Sequence, residues 1–307
     1  MRPPNVCGVP ELDASPYRAA IRRSLMIAAL AAASVAVFYI VFVRTKWGQE
    51  IDDLAFEGRH AAKLESTRRL NRMLNAVTES SLFLLGGAIV LIAFAQRRIR
   101  LVFVVGASMS MAVLTTEVLK LKLLTRPVFS DVQGIPQNSY PSGHATIGMV
   151  LSLGLVMVST SGTRRWAAAL AALLSTAFGT AVLASGWHRP SDSLGAYGVA
   201  LAWFAAGNAV LLWSDWRHPY AHGMASDADR APSRGLLVGA AVAMLGFLGF
   251  TLFRSLQDQG LQTVAYARAY VLACLIIDVL GVGVVLLFSV MTGRRARRRR
   301  DEWPQGA

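Results

Sequence analysis

The sequence predicts an all-α membrane protein, a polytopic bundle of about eight transmembrane helices. Hydrophobic residues make up 54% of the chain, whereas about 45–50% is usual in soluble domains. They are concentrated in runs of about 18 to 25 residues with few charges, the length that crosses the hydrocarbon core of a bilayer. Basic residues cluster at the ends of these runs, as the positive-inside rule describes for membrane proteins.

Eight apolar runs are the predicted spans. Backbone N–H and C=O groups cannot stay unpaired in lipid, so a span is either a helix or a strand of a closed barrel. Long and continuous apolar runs favour helices over the alternating pattern of barrel strands. The predicted spans cover residues 24–43, 77–96, 101–119, 145–161, 166–186, 194–213, 235–253 and 269–291.

The spans divide the chain into five parts. The predicted parts are an N-terminal tail at 1–23, a membrane core of spans one to six at 24–213 that includes a long loop at 44–76, a loop at 214–234, two additional spans at 235–291, and a basic tail at 292–307.

The distribution of arginines predicts the orientation of the spans. With the N-terminus in the cytoplasm, most basic clusters lie inside: those at 18–23, 97–100 and 164–165, the 214–234 loop and the Arg294–Arg300 tail. Segments 120–144 and 187–193 then lie together on the outer side. Both tails and the 214–234 loop are predicted to be cytoplasmic.

The 44–76 loop is the exception, because it is an outer loop with seven basic residues. Long loops obey the positive-inside rule less strictly. Apolar residues alternate with the basic ones, and this pattern predicts a helix that lies at the membrane interface and contacts anionic headgroups. These apolar residues are Leu64, Leu70, Met73 and Leu74.

Charge and cysteine content argue against several other classes of protein. The net charge of +13 does not predict nucleic-acid binding, because the arginines lie at the ends of spans. Cys7 and Cys274 have no spacing typical of a metal site or a disulfide framework. His218 and His222 have the spacing of a helical metal pair, but Pro219 favours a loop there. We therefore expect no metal, no cofactor and no nucleic-acid partner.

The segment from His188 to Asp192 carries a histidine and a carboxylate four residues apart. On a helix, both side chains would share one face, and Pro190 suits the first turn. A carboxylate bonded to one ring nitrogen leaves the lone pair of the other nitrogen available. Such a histidine can attack phosphorus and form a phosphohistidine. Taken alone, the segment also fits a histidine capped by a local carboxylate at a membrane interface.

The segment from Tyr140 to His144 places a second histidine beside a Pro-Ser-Gly turn. His144 can act as the general acid that protonates the leaving oxygen. The Ser142 hydroxyl and the Gly143 backbone N–H can donate to phosphate oxygens. A helix that begins near Ala145 adds the partial positive charge of its N-terminus. Taken alone, the tripeptide also fits an ordinary turn before a helix.

Basic residues precede this turn. Arg126 can bind a phosphate with two parallel hydrogen bonds, and Lys120, or failing that Lys122, can add a point charge. Phosphoryl transfer depends on such positive charge. The alternative for the lysines is snorkelling from a helix end, and Glu117 can pair with either of them. Glu79, Glu117 and Asp278 receive no catalytic role.

These segments resemble the type-2 phosphatidic acid phosphatase superfamily, whose site is shared with vanadium haloperoxidases and bacterial acid phosphatases. The family pattern consists of Lys-x6-Arg-Pro, Pro-Ser-Gly-His and Ser-Arg-x5-His-x3-Asp. Arg126-Pro127 matches the end of the first part, residues 141–144 match all of the second, and His188 with Asp192 matches the end of the third. The resemblance covers about 120–192 and implies a core of about five or six helices.

Two positions depart from the family pattern. Leu119 stands where the first part has lysine, and Ala181-Val182 stands where the third part has Ser-Arg. One phosphate-binding arginine is therefore absent from its expected place. Arg189, which follows His188, or a basic residue of the 44–76 loop can replace it.

The sequence as a whole predicts an integral-membrane phosphatase that hydrolyses a lipid phosphate or isoprenyl diphosphate at the outer membrane face. His188 would be the nucleophile, Asp192 would orient it, and His144 would be the general acid. The phosphate would be bound by Arg126, Ser142, Gly143 and Lys120. The alternatives are a lipid phosphotransferase with the same intermediate and a non-catalytic lipid-phosphate binder or transporter. We expect a bacterial inner-membrane location.

Overall fold

A computed structural model describes residues 14–61, 79–129, 138–217 and 261–301. Within these ranges the chain is entirely helical, which confirms the predicted fold class. The helices are α1 (Ala14–Phe38, continued by a π-helical turn at Tyr39–Val43), α2 (Lys46–Ala61), α3 (Glu79–Ala95), α4 (Ile99–Val118, continued by a π-helical turn at Leu119–Leu123), α5 (Gly143–Val158), α6 (Arg164–Ala184), α7 (Pro190–Arg217) and α8 (Leu261–Asp301).

Five of the described helices are long and apolar enough to cross a membrane. They are Tyr17–Val43, Ile99–Leu123, Arg164–Ala184, Pro190–Arg217 and Val264–Gly293, and two shorter apolar helices cover Leu84–Ala95 and Gly143–Val158. These seven segments match seven of the predicted spans. The eighth, at 235–253, lies outside the described residues, so the count of eight stays a prediction.

Helix α7 lies at the centre of the bundle and packs against α1, α4, α5 and α8. The rings of Phe204 on α7 and Phe288 on α8 meet edge to face, with centroids 5.8 Å apart. Asn208 of α7 donates to the hydroxyl of Ser24 on α1 at 3.0 Å. Because α7 is buried along most of its length, its first turn is held firmly in place at one end of the bundle.

The bundle has two chemically different ends. At one end, which we call the basic end, Gln96 donates to the Val158 carbonyl at 3.1 Å and Arg100 donates to the Ser214 hydroxyl at 2.8 Å. These contacts join the turn after α3 to the end of α5, and the start of α4 to the end of α7. At the other end, the last residues of α1, α4 and α6 meet the first residues of α5 and α7, together with α2.

Helix α2 was not expected from the sequence. Residues 46–61 belong to the predicted 44–76 loop, yet they form a helix that packs against α8. Its buried face carries Gln49, Asp52, Asp53 and Phe56, a helical spacing in which most members are polar. Hydropathy alone therefore does not indicate this helix. The predicted interfacial residues of this loop, at 64–74, lie outside the described residues.

Candidate active site

The first turn of α7 is built around Asp192. Pro190 is the first helical residue, where its missing N–H costs nothing. The Oδ2 atom of Asp192 accepts the backbone N–H of Arg189 at 3.0 Å. Asp192 is the third residue of the helix, and Arg189 is the cap residue before it. A side-chain carboxylate at this position that accepts the N–H of the cap residue forms the acidic half of a capping box. Local sequence thus accounts for the conformation of this turn.

His188 lies two residues before the start of α7, in the turn and not on the helix that its spacing from Asp192 predicted. Its Nδ1 is 3.2 Å from Oδ2 of Asp192, and the same oxygen accepts the Ser139 hydroxyl at 2.6 Å. The Asp192 side chain is fully buried, whereas that of His188 is 13% exposed. An imidazole held through Nδ1 presents Nε2 outward, and Nε2 can then act as a nucleophile.

The loop before α5 is hydrogen-bonded to the same turn. The backbone N–H of Ser142 donates to the carbonyl of Asp192 at 3.0 Å. The Ser142 hydroxyl accepts the N–H of Ala145 at 3.3 Å and so caps α5. Helix α5 begins at Gly143, two residues before the predicted start. The two sequence motifs therefore lie side by side, as predicted from their common side of the membrane.

His144 lies in the first turn of α5, next to the turn that carries His188. Its ring centroid is 5.1 Å from that of Trp187, the residue before His188. The structure thus brings the two histidines close together. A histidine close to the nucleophile is a suitable proton donor for a leaving group.

Lys120 lies against Gly143. Its Nζ donates to Oε1 of Glu117 at 2.6 Å, and a side-chain carbon added at Gly143 would lie 3.1 Å from that oxygen and 3.6 Å from Nζ. The predicted pairing of Glu117 with a lysine is confirmed, and the lysine is Lys120. The side chain of Lys122 is exposed.

Arg126 is buried at this end of the bundle, with 8% of its surface exposed. Burial, together with the nearby charge of Arg189, lowers its pKa. Its Nη2 is 4.0 Å from Oδ1 of Asp53 on α2. The same Oδ1 accepts a short hydrogen bond from Nε of Arg189. One carboxylate oxygen therefore stands between two buried guanidinium groups.

Asp52 and Asp53 of α2 are residues of the site that sequence reasoning missed. Asp52 accepts the backbone N–H of Ser191 at 3.0 Å and its hydroxyl at 2.5 Å. A negative charge at this place also favours the N-terminus of α7. Burial, and next the charge of Asp192, raises the pKa of Asp52 to about 7. The sequence feature that could have indicated these two residues is a pair of adjacent acids on the face that α2 buries.

At the two positions that depart from the family pattern, the side chains are apolar and pack against other apolar residues. Val182 is fully buried beside Ala145 and Ala196, and its carbonyl accepts the N–H groups of Trp187 and His188 at 3.0 and 3.2 Å. Leu119 packs against the main core. Neither side chain can bind an anion, so the positive charge of the site comes from other positions.

The turn between α6 and His188 requires glycine. Gly186 has φ +72°, a conformation that residues with a Cβ rarely adopt. A Cβ there would also lie 2.8 Å from Nε of Arg59 on α2. Arg59 in turn stacks on the Phe56 ring, 3.6 Å from its centroid. Helix α2 thus lies against the turn before His188 through Arg59, and against the first turn of α7 through Asp52.

Comparison with known proteins supports the resemblance. Residues 101–218 match the model of the PAP2 superfamily, a range that runs from α4 to the end of α7 and contains all three motifs. No curated protein matches the chain, and no solved structure does. Members of this superfamily are phosphatases, which supports activity on phosphate esters. Residues 101–218 of the chain are therefore similar to the PAP2 superfamily, which agrees with the resemblance that the motifs carry.

Proposed function

We propose that this protein is a membrane phosphatase that hydrolyses a lipid phosphate or an isoprenyl diphosphate through a phosphohistidine intermediate. The observation that carries the proposal is the contact between His188 and Asp192, at 3.2 Å, beside the N-terminus of α5. This pair provides a nucleophile, and the helix N-terminus provides an environment for an anion.

The first step would be attack on phosphorus by Nε2 of His188. A bond from Nε2 to phosphorus forms while the bond from phosphorus to the ester oxygen breaks, and His144 gives a proton to the departing oxygen. Asp192 keeps the imidazole in position and stabilises its positive charge. In the second step, a water oxygen bonds to phosphorus while His144 takes one of the water protons and the bond from Nε2 to phosphorus breaks. Inorganic phosphate leaves, and both histidines return to their starting states.

The phosphate oxygens would be bound by the groups around this pair. Arg126 offers a planar fork of donors, Lys120 offers a point charge, and the Gly143 backbone N–H lies at the start of α5. The Ser142 oxygen accepts the Ala145 N–H, which leaves its own hydroxyl hydrogen to donate to an anion. Preorganised donors of this kind are the main source of catalysis in phosphoryl transfer.

A lipid substrate fits the surroundings of the site. Next to Lys120 and Arg126, several large apolar side chains are exposed: Leu121, Leu123, Val128 and Phe129. In a membrane these side chains would face acyl or prenyl chains, so a lipid could enter sideways while its phosphate reaches the polar end of the bundle. A soluble phosphate ester needs no such apolar approach.

The proposed orientation places the site at the outer face of a bacterial cytoplasmic membrane. The turns that carry Arg97, Arg98, Arg164 and Arg165 lie at the end of the bundle opposite His188. By the positive-inside rule, that basic end is cytoplasmic. Cysteine labelling from outside intact cells tests this directly: a cysteine at Val128 should react and one at Arg97 should not, and the reverse pattern would invert the orientation.

Phosphate release by the purified protein tests the proposed activity. The substrates should include phosphatidic acid, phosphatidylglycerophosphate and an isoprenyl diphosphate, with EDTA present because the proposed steps use no metal ion. We expect release from at least one lipid phosphate and none from the His188→Gln variant. Release that survives in His188→Gln would contradict the nucleophile, and activity that EDTA removes and a divalent ion restores would contradict the metal-free steps.

A further inference from the structure

The two buried arginines of the site keep guanidinium nitrogens without partners. Arg126 is 8% exposed and Arg189 is 5% exposed. Among the residues that the structure describes, Nη1 and Nη2 of Arg126 and Nη1 of Arg189 have no hydrogen-bond partner. Buried donors that stay unsatisfied are costly. The arrangement is therefore one that a bound anion would complete.

One carboxylate lies between the two arginines. Oδ1 of Asp53 accepts the Nε–H of Arg189 and is 4.0 Å from Nη2 of Arg126. Its charge offsets the repulsion between the two cations. With Nε engaged by Asp53, Nη1 of Arg189 remains available for a second acceptor, because the guanidinium group is a rigid planar fork with several donors.

The backbone around Arg189 is also fixed. Its N–H donates to Asp192 at 3.0 Å, and the N–H of Ser191 donates to Asp52 at 3.0 Å. Arg189 is therefore held through its side chain, its own backbone and its neighbour, by residues of two helices. Such support is what keeps a ligand-binding side chain in a productive position.

Arg59 of α2 is another basic residue near this turn, but it is only partly buried and its Nη1 is already paired. Its Nη1 donates to the Phe56 carbonyl at 2.8 Å and is 3.6 Å from Oε1 of Glu57. Arg189, in contrast to Arg59, has both a fixed position and an unsatisfied buried nitrogen. It also directly follows His188 in the chain.

We propose that Arg189 is the second arginine of the phosphate site, in place of the arginine absent at Val182, and that Asp53 is the positioning residue that holds it. Helix α2 is then part of the active site although it lies outside residues 101–218. The identity of the anion as the phosphate group of the substrate rests on the proposed function.

Orthovanadate binding to the purified full-length protein tests the inference, because vanadate has the shape and charge of phosphate and its binding needs no turnover. We expect Arg189→Gln to weaken binding by about 30-fold, the loss typical of one charge-assisted hydrogen bond. Asp53→Asn should weaken it by about tenfold. Glu50→Gln removes an exposed carboxylate from the same helix and should bind as the wild type does.

A double variant separates positioning from an independent role of Asp53. If Asp53 acts through Arg189, the Asp53→Asn/Arg189→Gln protein should bind vanadate less weakly than the product of the two single losses predicts. Arg189→Lys serves where Arg189→Gln does not fold, since lysine keeps the charge beside Asp53 but loses the fork. We expect about a tenfold loss from that change.

Unchanged vanadate affinity in folded Arg189→Gln or Arg189→Lys protein would overturn the inference, as would multiplicative losses in the double variant or a wild-type protein that binds no vanadate. Failure of the proposed function has a different signature. In that case vanadate binding still depends on Arg189 and Asp53, yet the wild type releases no phosphate from any lipid phosphate.

Discussion

The backbone N–H of Ser142 donates to the backbone carbonyl of Asp192 at 3.0 Å. This hydrogen bond joins the loop that starts α5 to the first turn of α7, and these two places carry the two histidine motifs. Because the bond joins two main-chain groups, it holds the two motifs together without depending on the identity of their side chains. A substitution that shifts the backbone at the start of either helix should therefore shift the start of the other helix.

Replacing Asp192 with asparagine tests its role in orienting His188. Asparagine has nearly the same shape but carries no charge to stabilise the imidazolium, and its amide can favour the wrong tautomer. We expect kcat to fall by a factor on the order of 10³ to 10⁴ while vanadate binding changes much less. Steady-state kinetics with the best lipid phosphate would measure the effect.

Asp278→Asn is a suitable control for this variant. Asp278 is a buried acid of α8 that accepts a hydrogen bond from Thr180 at 2.6 Å, away from the histidines. We expect its kcat to stay within a few-fold of the wild type. If Asp192→Asn retained a tenth or more of the wild-type kcat, Asp192 would not be the residue that orients the nucleophile.

The raised pKa of Asp52, about 7 against an ordinary 3.8, predicts a pH-dependent stability. A carboxyl group with a raised folded-state pKa stabilises the fold fully below its unfolded pKa, and this contribution is lost as the pH rises through the folded pKa. The melting temperature of the wild type relative to Asp52→Asn should therefore fall between about pH 4 and pH 7.

Thermal unfolding of the two proteins in the same detergent, over a series of pH values, measures this difference. Asparagine does not titrate, so the variant reports the pH dependence of all other groups. A difference in melting temperature that stays constant from pH 4 to pH 8, or that grows with pH, would show that Asp52 is ionised in the folded protein with an ordinary or lowered pKa.

Gly186→Ala should disturb the turn that carries His188. The positive φ costs a residue with a Cβ about 1–2 kcal/mol, and the added carbon would push against Arg59. We expect a lower melting temperature and a lower kcat/KM. Gly162→Ala is the matched control, because no atom lies within 4 Å of the added carbon there. Equal behaviour of the two variants would mean that this turn tolerates another conformation.

Sequence reasoning predicted the parts of the fold that depend on local composition. Seven apolar spans follow from hydropathy, and the nearness of Ser142 to Asp192 follows from the charge pattern that puts both on one side. Asp52 and Asp53 were not predicted, because their partners Ser191 and Arg189 are distant in the chain. Nothing within α2 itself indicates which helix it packs against.

The replacement of the absent third-motif arginine shows the same limit. The sequence offered Arg189 and the basic residues of the 44–76 loop as equal candidates, because each is defined only by charge and by proximity along the chain. Among the residues that the structure describes, burial and pairing distinguish Arg189 from Arg59: Nη1 of Arg59 is paired, whereas Arg189 is held by Asp53 and keeps an unsatisfied Nη1. Such distinctions depend on contacts between helices, which the sequence does not display.

The central claim is that His188 carries the phosphoryl group during turnover. Rapid quenching of the wild-type protein with a ³²P-labelled lipid phosphate, at alkaline pH where phosphohistidine persists, tests it most directly. We expect label that is stable in base, lost in acid and located on the peptide that contains His188, with none in His188→Gln. Label on another residue, or rapid phosphate release without any labelled protein under single-turnover conditions, would contradict it.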